Sequence, residues 1–358
     1  MILRQSRYAN LLLRPIFWGI LTSLFTVACG GQTTDTLTTD QIQTNGLVMT
    51  VESCQTISHD LGDTQVCGQP QKLIALAPNI LELLLALEIQ PIGYADYFAL
   101  PDRVFDQPAK QILYLGDRIT SQPSNVGTWG NPSLEAIVKL KPDLILTSDP
   151  NSQNEYALLS QIAPTLVFNY TVDDDWQRQL RTIANATGLT EQAEQVIAAH
   201  KQKLTEMGKT LQPIAQSYPK VLLLASSGIG QNLGVEGGDS HCGGILQDLG
   251  FQMVLPPSLA QQQRGGVISL EILPQLDADL ILMTAWNDNV PNPGENPAEH
   301  QITPVKQQWQ NNPIAQSLEA SKAGRVYFDS TYLCRALPGP IGTEIFLDNL
   351  RQQLQGEA

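Results

Sequence analysis

From Lys72 onward, short continuous apolar runs alternate with stretches in which apolar residues recur every three or four positions. Leu73-Ile74-Ala75-Leu76 is a run of the kind buried on both faces, as in a parallel strand. Pro78-Asn79 punctuate it, and Ile80, Leu83, Leu84 and Leu87 then fall at helical spacing. Ile92-Gly93-Tyr94-Ala95 reads as the next strand. Pro132-Ser133 opens another helix with Ser133 as its N-cap, and that helix carries Leu134, Ile137, Val138 and Leu140 inward as far as Pro142. Leu144-Ile145-Leu146 and Leu166-Val167-Phe168 read as further strands. Strands alternating with helices predict a layered α/β lobe with a mostly parallel sheet.

The texture changes after Asp175. Helix formers dominate as far as about Gln216, with Leu180, Ile183 and Ala184 on one apolar face. Thr190 can cap a longer helix through Val196, Ile197, Leu204 and Met207, about 20 residues or 30 Å long. Lys220-Val221-Leu222-Leu223-Leu224 then restarts strand-like structure. The prediction is an α/β fold of two Rossmann-like lobes, residues 51–173 and 219–358, each with a mostly parallel sheet. One long rigid helix within residues 174–218 joins them. Such a spine permits a small rocking motion and resists wide hinge closure.

A repeat ties the lobes together. Ser133 to Leu146 and Ser269 to Leu282 share about half their aligned positions, including Ser-Leu-Glu at the start and Asp-Leu-Ile-Leu at the end. Both read as N-cap, short helix, turn and buried strand. Pro274 should shorten or distort the second helix, since it lacks the N–H that a helix interior needs.

The first 50 residues have a different pattern. Arg4, Arg7 and Arg14 precede an apolar stretch from Ile16 to Ala28, too short to span a bilayer comfortably. Residues 1–28 therefore read as a cleavable signal peptide. Leu24-Phe25-Thr26-Val27-Ala28-Cys29 resembles the lipobox of bacterial lipoproteins, with Thr26 where Leu is usual. That implies lipidation of Cys29 and a periplasmic protein held to the membrane by its lipid alone. Residues 29–50, rich in Thr, Gln and Gly, read as a flexible tether.

The formal charge is −14, and removal of the three signal arginines brings the body to about −17. A body this acidic is not a nucleic-acid binder. Of five cysteines, four remain once Cys29 is set aside, an even number that favours disulfides in an oxidising compartment. Cys54 and Cys67 would staple the start of the first lobe. Cys242 and Cys334 would pair within the second, the alternative being two free buried thiols.

Leu73 to Asp96, Leu115-Gly116-Asp117, and Val126-Gly127-Thr128 through Leu146 resemble the ferric-siderophore and cobalamin group of periplasmic binding proteins that serve ABC importers. Ser269–Leu282 and Arg335–Leu350, where Gly339-Pro340-Ile341 precedes a terminal helix, extend the likeness to the C-terminus. The resemblance implies a ligand cleft between two lobes, no enzymatic activity and no cofactor. The cargo it implies is an iron(III)–siderophore or ferric-citrate complex, with no protein side chain on the metal. It also implies a monomer that docks on the transmembrane subunits of an importer through one exposed carboxylate per lobe. Glu135 and Glu271 occupy those positions. The plain physical alternative is that each Glu only complements a helix N-terminus.

Such a ligand calls for arginines against its oxygens and aromatics against its organic framework. Candidates in loops after strands are Asn79, Tyr97 (with Phe98), Arg118 and Trp129 in the first lobe. In the second they are Gln231, Arg264, Trp286, Tyr332 and Arg335. The family commonly carries Arg at the position of Trp129, so a stacking surface stands here in place of a charge. The glycine-rich stretch 228–238 lacks the Gly-Lys-Ser/Thr of a phosphate loop. His241-Cys242 has no second His or Cys at metal-ligand spacing. Haem or cobalamin capture on the same fold, and an exported enzyme on a two-lobed scaffold, are the competing readings.

Overall fold

The computed structural model describes residues 53–97, 104–148, 153–169, 176–230, 232–261, 264–287, 289 and 295–356. Cys29, Phe98 and Gln231 lie outside them. A hairpin of β1 (Cys54–His59) and β2 (Gly62–Cys67) comes first, closed end to end by the Cys54–Cys67 disulfide.

The first lobe is built on β3 (Leu73–Ala75), β4 (Gly93–Asp96), β5 (Ser124–Thr128), β6 (Asn131–Pro132), β7 (Leu144–Thr147) and β8 (Thr165–Val167), in the order β6-β5-β4-β3-β7-β8. Every pairing is parallel except β5 with β6, a tight hairpin at the edge. The second lobe comprises β9 (Lys220–Ser226), β10 (Asn232–Glu236), β11 (Gln252–Met253), β12 (Gly266–Ser269), β13 (Leu280–Ala285) and β14 (Val326–Ser330). Its order is β12-β10-β9-β13-β14, with β11 beside the start of β9. Here β9, β13, β14 and β11 pair in parallel, while β10 runs antiparallel to both its neighbours, β9 and β12.

The apolar runs are buried on both faces because each sheet is sandwiched. Leu73 and Ala75 belong to one core, Ile74 and Leu76 to another on the opposite face. Val221 and Leu223 alternate in the same way with Leu222 and Leu224. One core is continuous through both lobes, from Leu73 and Ile80 across Met207 and Leu211 to Leu223, Tyr332 and Phe346. The lobes therefore share packing as well as a covalent link.

That link is a helix of 28 residues, Thr190–Ser217, about 42 Å long at the usual rise. It runs past the expected 20 residues because its buried stripe continues beyond Met207 at Leu211 and Ala215, with Pro213 held inside the helix. Ala193, Met207, Leu211 and Ala215 form its buried stripe. It packs against the Trp176–Thr187 helix and against the C-terminal helix Pro340–Gln355. Among the described residues, no helix is long and apolar enough to cross a membrane.

The repeat is visible as paired geometry. The Ser133 side chain accepts from Ala136 N–H at the head of the Leu134–Leu140 helix, and Ser269 accepts from Glu271 N–H at the head of its counterpart. The counterpart, Leu270–Gln275, is a 3₁₀ turn with Pro274 inside it, the distortion the proline imposes. The aspartates closing the two repeats act alike. Asp143 Oδ2 accepts from Gln71 and Lys72 N–H, and Asp279 Oδ2 accepts from Lys220 N–H, each anchoring the neighbouring strand's start.

One charged group pins the lobes together. Glu82 interrupts the apolar Pro78–Ala86 helix of the first lobe and is fully buried. Its Oε2 accepts from Gly339 N–H at 2.8 Å and its Oε1 from Gly342 N–H at 2.6 Å. These donors are orphan N–H groups at the N-terminus of the Pro340–Gln355 helix, where a carboxylate is favoured. Burial nevertheless pushes the Glu82 carboxyl up to about 7, against the downward pull of those hydrogen bonds.

Candidate functional site

Parallel strands deliver their loops to one end of a sheet, and ligands of such folds bind outside the carboxyl ends of the strands. Tyr97 follows β4, Trp286 follows β13, and Tyr332 lies on the Thr331–Arg335 helix directly after β14. Trp129 sits at the turn between β5 and β6, flanked by Gly127 and Gly130 at positive φ, with its backbone N–H donating to Asp96 O at 2.8 Å. These four aromatics come from both lobes and meet. Tyr97 contacts Trp129, Trp286 and Tyr332 with ring centroids 5.0, 6.2 and 5.8 Å away, all edge-on. Trp286 and Tyr332 stack at 6.1 Å, their planes 6° apart.

Hydrogen bonds fix the orientation of the rings. Tyr332 is fully buried and its hydroxyl donates across the lobe boundary to Asp96 Oδ1 at 3.2 Å, while the Tyr97 N–H donates to the same oxygen. Trp129 Nε1–H donates to Ser148 O at 3.0 Å, and the Ser148 hydroxyl donates to Asn79 Oδ1 at 2.6 Å. Tyr97, Trp129 and Trp286 stay partly exposed. They offer flat apolar surface that is already ordered, which lowers the entropic cost of binding.

Asn79 is also the first-lobe residue on a neighbouring cavity of about 690 Å³, lined otherwise by the linking helices and the second lobe and by none of the four aromatic rings. Trp176 and His200 line it from those helices, their rings 4.8 Å apart. Glu236, Asp239, His241, Asp248, Gly265 and Arg335 line it from the second lobe. Arg335 Nη2 donates to Glu236 Oε1 at 2.8 Å; the arginine side chain is 63% exposed and the glutamate 6%. Burial pushes His200 down, and His241 down to about 4. The Cys242–Cys334 disulfide joins the wall through Cys334, so the two cysteines are bonded and not free thiols.

Of the residues picked from sequence, Tyr97, Trp129, Trp286 and Tyr332 form the aromatic group, and Asn79 and Arg335 line the cavity beside it. Arg118 sits elsewhere, paired with Glu344 of the C-terminal helix at 3.5 Å. Arg264 is exposed and does not line the cavity, although its neighbour Gly265 does. Glu135 is 80% exposed and paired with Lys139, and Glu271 is exposed and hydrogen bonded to the Ser269 hydroxyl. Sequence reasoning missed Asp96, Ser148, Glu236 and the Trp176–His200 pair. Asp96, ending an apolar strand, was the one with a visible signal.

Two α/β lobes on a helical spine, with aromatic rings of both lobes meeting at the strand ends, define a solute-binding protein. The chain belongs to the periplasmic binding protein family, whose model matches residues 73–333. It is 28% identical to the Fe(3+)-citrate-binding protein YfmC of Bacillus subtilis, over 76% of each chain. It is 25% identical to the Fe(3+) dicitrate-binding periplasmic protein FecB of Escherichia coli, over 78% of this chain and 83% of that one. Among solved structures, Staphylococcus aureus SirA complexed with staphyloferrin B matches with a TM-score of 0.65 at 23% identity, covering 84% of this chain and 98% of that one. The members of this family are substrate-binding transport proteins, and this chain is not an enzyme.

Proposed function

We propose that this protein captures a ferric siderophore or ferric citrate in the inter-lobe cleft outside the cytoplasmic membrane and delivers it to an ABC importer. The supporting observation is the meeting of Tyr97, Trp129, Trp286 and Tyr332 from two lobes beside a cavity of about 690 Å³. The names of the relatives, which bind ferric citrate, point to the same broad class of iron(III) chelates. Glu135 and Glu271, exposed at the heads of the repeated helical turns, are the docking carboxylates in this reading, one per lobe. Lipidated Cys29 would hold the body near the importer by the tether at residues 29–50.

Tryptophan quenching of the purified mature chain by ferric siderophores, haem and cobalamin tests the cargo. Quenching by an iron(III) chelate and by neither of the others is expected; quenching by haem or cobalamin alone refutes it. Docking is tested by uptake in cells carrying Glu135→Ala and Glu271→Ala together. Uptake should fall at least about tenfold with ligand affinity unchanged, and normal uptake would remove the docking role.

A further inference from the structure

The cavity of about 690 Å³ beside the aromatic group is lined by none of its four rings. In size it suits a small organic molecule. β10 runs antiparallel to β9, pairing Gly234 with Ala225 and Glu236 with Leu223, and so carries Glu236 away from the strand ends where Trp286 sits. Glu236 lines the cavity and is 5% exposed, whereas Asp239 and Asp248 stand exposed at its rim. Close backbone packing holds the buried carboxylate in place. A Cβ on Gly265 would fall 2.6 Å from Val235 O, a Cβ on Gly243 would strike Gly237 O, and Asp239 Oδ1 accepts from Gly265 N–H at 3.2 Å. Trp176, His200, Leu204 and Ile245 add rings and apolar side chains to the wall.

Only half of the Glu236 carboxylate is answered. Its Oε1 accepts from Arg335 Nη2 at 2.8 Å, and that arginine's side chain is 63% exposed. Its Oε2 has no donor among the described residues. A buried carboxylate oxygen left without a donor is destabilising, so it marks a place for one. The charge of the wall names the donor. Among the described residues lining the cavity, three carboxylates stand against one guanidinium and no lysine. His200 and His241 stay neutral at neutral pH, because burial pushes both below their ordinary values. An anion would be repelled, and a neutral apolar molecule would leave Oε2 unpaired. A protonated amine brings charge and N–H donors together, and an indole such as that of Trp176 is the side-chain ring that attracts a cation most strongly. We infer that this cavity is a second binding site, separate from the aromatic group and independent of the cargo there, and that it takes a primary amine carried on an apolar body.

Isothermal titration calorimetry of the mature chain with phenethylamine, phenethyl alcohol and phenylacetate tests this, since the three share one apolar body and differ in charge. Phenethylamine should bind with a Kd of about 1 mM or below, and the alcohol and the acid at least about tenfold more weakly. Glu236→Gln and, separately, Trp176→Leu should each weaken the amine by about tenfold or more. Asp248→Asn, at the exposed rim, should weaken it about two- to threefold at low salt, and keeps the charge argument testable if Glu236→Gln fails to fold. Trp129→Ala, in the aromatic group, should leave the amine affinity within about twofold. Equal binding of the three probes overturns the role of the carboxylates. No binding of phenethylamine at about 10 mM overturns the site itself. Loss of amine binding in Trp129→Ala would put the amine in the aromatic group and overturn the second cavity.

Discussion

Glu82 allows a quantitative test of how the two lobes are joined. Its carboxyl is buried within the first lobe's helix and clasped by N–H groups of Gly339 and Gly342 in the second. Burial lifts it from 4.5 to about 7. The folded form therefore holds a proton that the unfolded chain releases between those two values, and stability falls as pH rises through that window. At 1.36 kcal/mol for each pH unit, the full rise is worth about 3 kcal/mol, of which roughly 2–3 kcal/mol falls between pH 5 and pH 8. Glu82→Gln keeps the shape and cannot ionise. Urea denaturation of both proteins across pH 5 to 8 should show the wild type losing that amount relative to the variant, with the loss flattening above about pH 8. Glu82→Ala removes the acceptor altogether, so two buried N–H groups lose their partner; it should cost about 3–5 kcal/mol near pH 5 and about 2–3 kcal/mol less near pH 8, where the wild type has taken its own ionisation penalty. A wild-type minus Glu82→Gln difference that is flat across the range, or that grows with pH, would refute the assignment of Glu82 as a buried, proton-holding pin.

Trp129→Ala and Trp286→Ala should each weaken ligand binding by about ten- to a hundredfold in calorimetry while leaving the unfolding midpoint within a few degrees, because both rings are partly exposed. The Cys242–Cys334 bond closes a separation of 92 residues, so Cys242→Ser with Cys334→Ser should lower unfolding free energy by about 4–5 kcal/mol, whereas loss of Cys54–Cys67, across 13, should cost about 3 kcal/mol or less. His241, held near 4 by burial, is neutral in the fold and must charge on unfolding, so stability should drop as pH falls from about 6.5 towards 4. Chemical denaturation of His241→Gln over that window should show a shallower acid slope, and an unchanged slope would count against its burial as the neutral form.

The strands are readable because they are buried on both faces and so appear as unbroken apolar runs, as at Leu73–Ala75 and Leu280-Ile281-Leu282-Met283. The repeat is readable because the same local work, a Ser cap and a short turn before a strand, is done twice. Pro274 announces its own effect. The aromatic half of the site follows from a topological rule: residues just after parallel strands face the cleft. What cannot be read is pairing between distant segments. Nothing local says that Arg118 meets Glu344, that Arg335 meets Glu236, or that Glu82 waits for a helix cap 257 positions later at Gly339. Glu82 stands out as a charge in an apolar helix, but a buried charge names its need for a partner and not the partner. The linking helix extends past Met207, the last apolar residue counted for it, because Leu211 and Ala215 continue its buried stripe and packing on both lobes carries the helix through Pro213.

The central claim is that an iron(III) chelate sits between the two lobes against the aromatic group. Iron anomalous diffraction from crystals of the mature chain saturated with the iron(III) chelate that quenches its tryptophans tests it most directly. The account predicts one iron peak per chain in the cleft, with the chelate's organic frame in van der Waals contact with Tyr97, Trp129 and Trp286. A peak at full occupancy anywhere outside that cleft, or iron bound directly by protein side chains without the chelator, would contradict it.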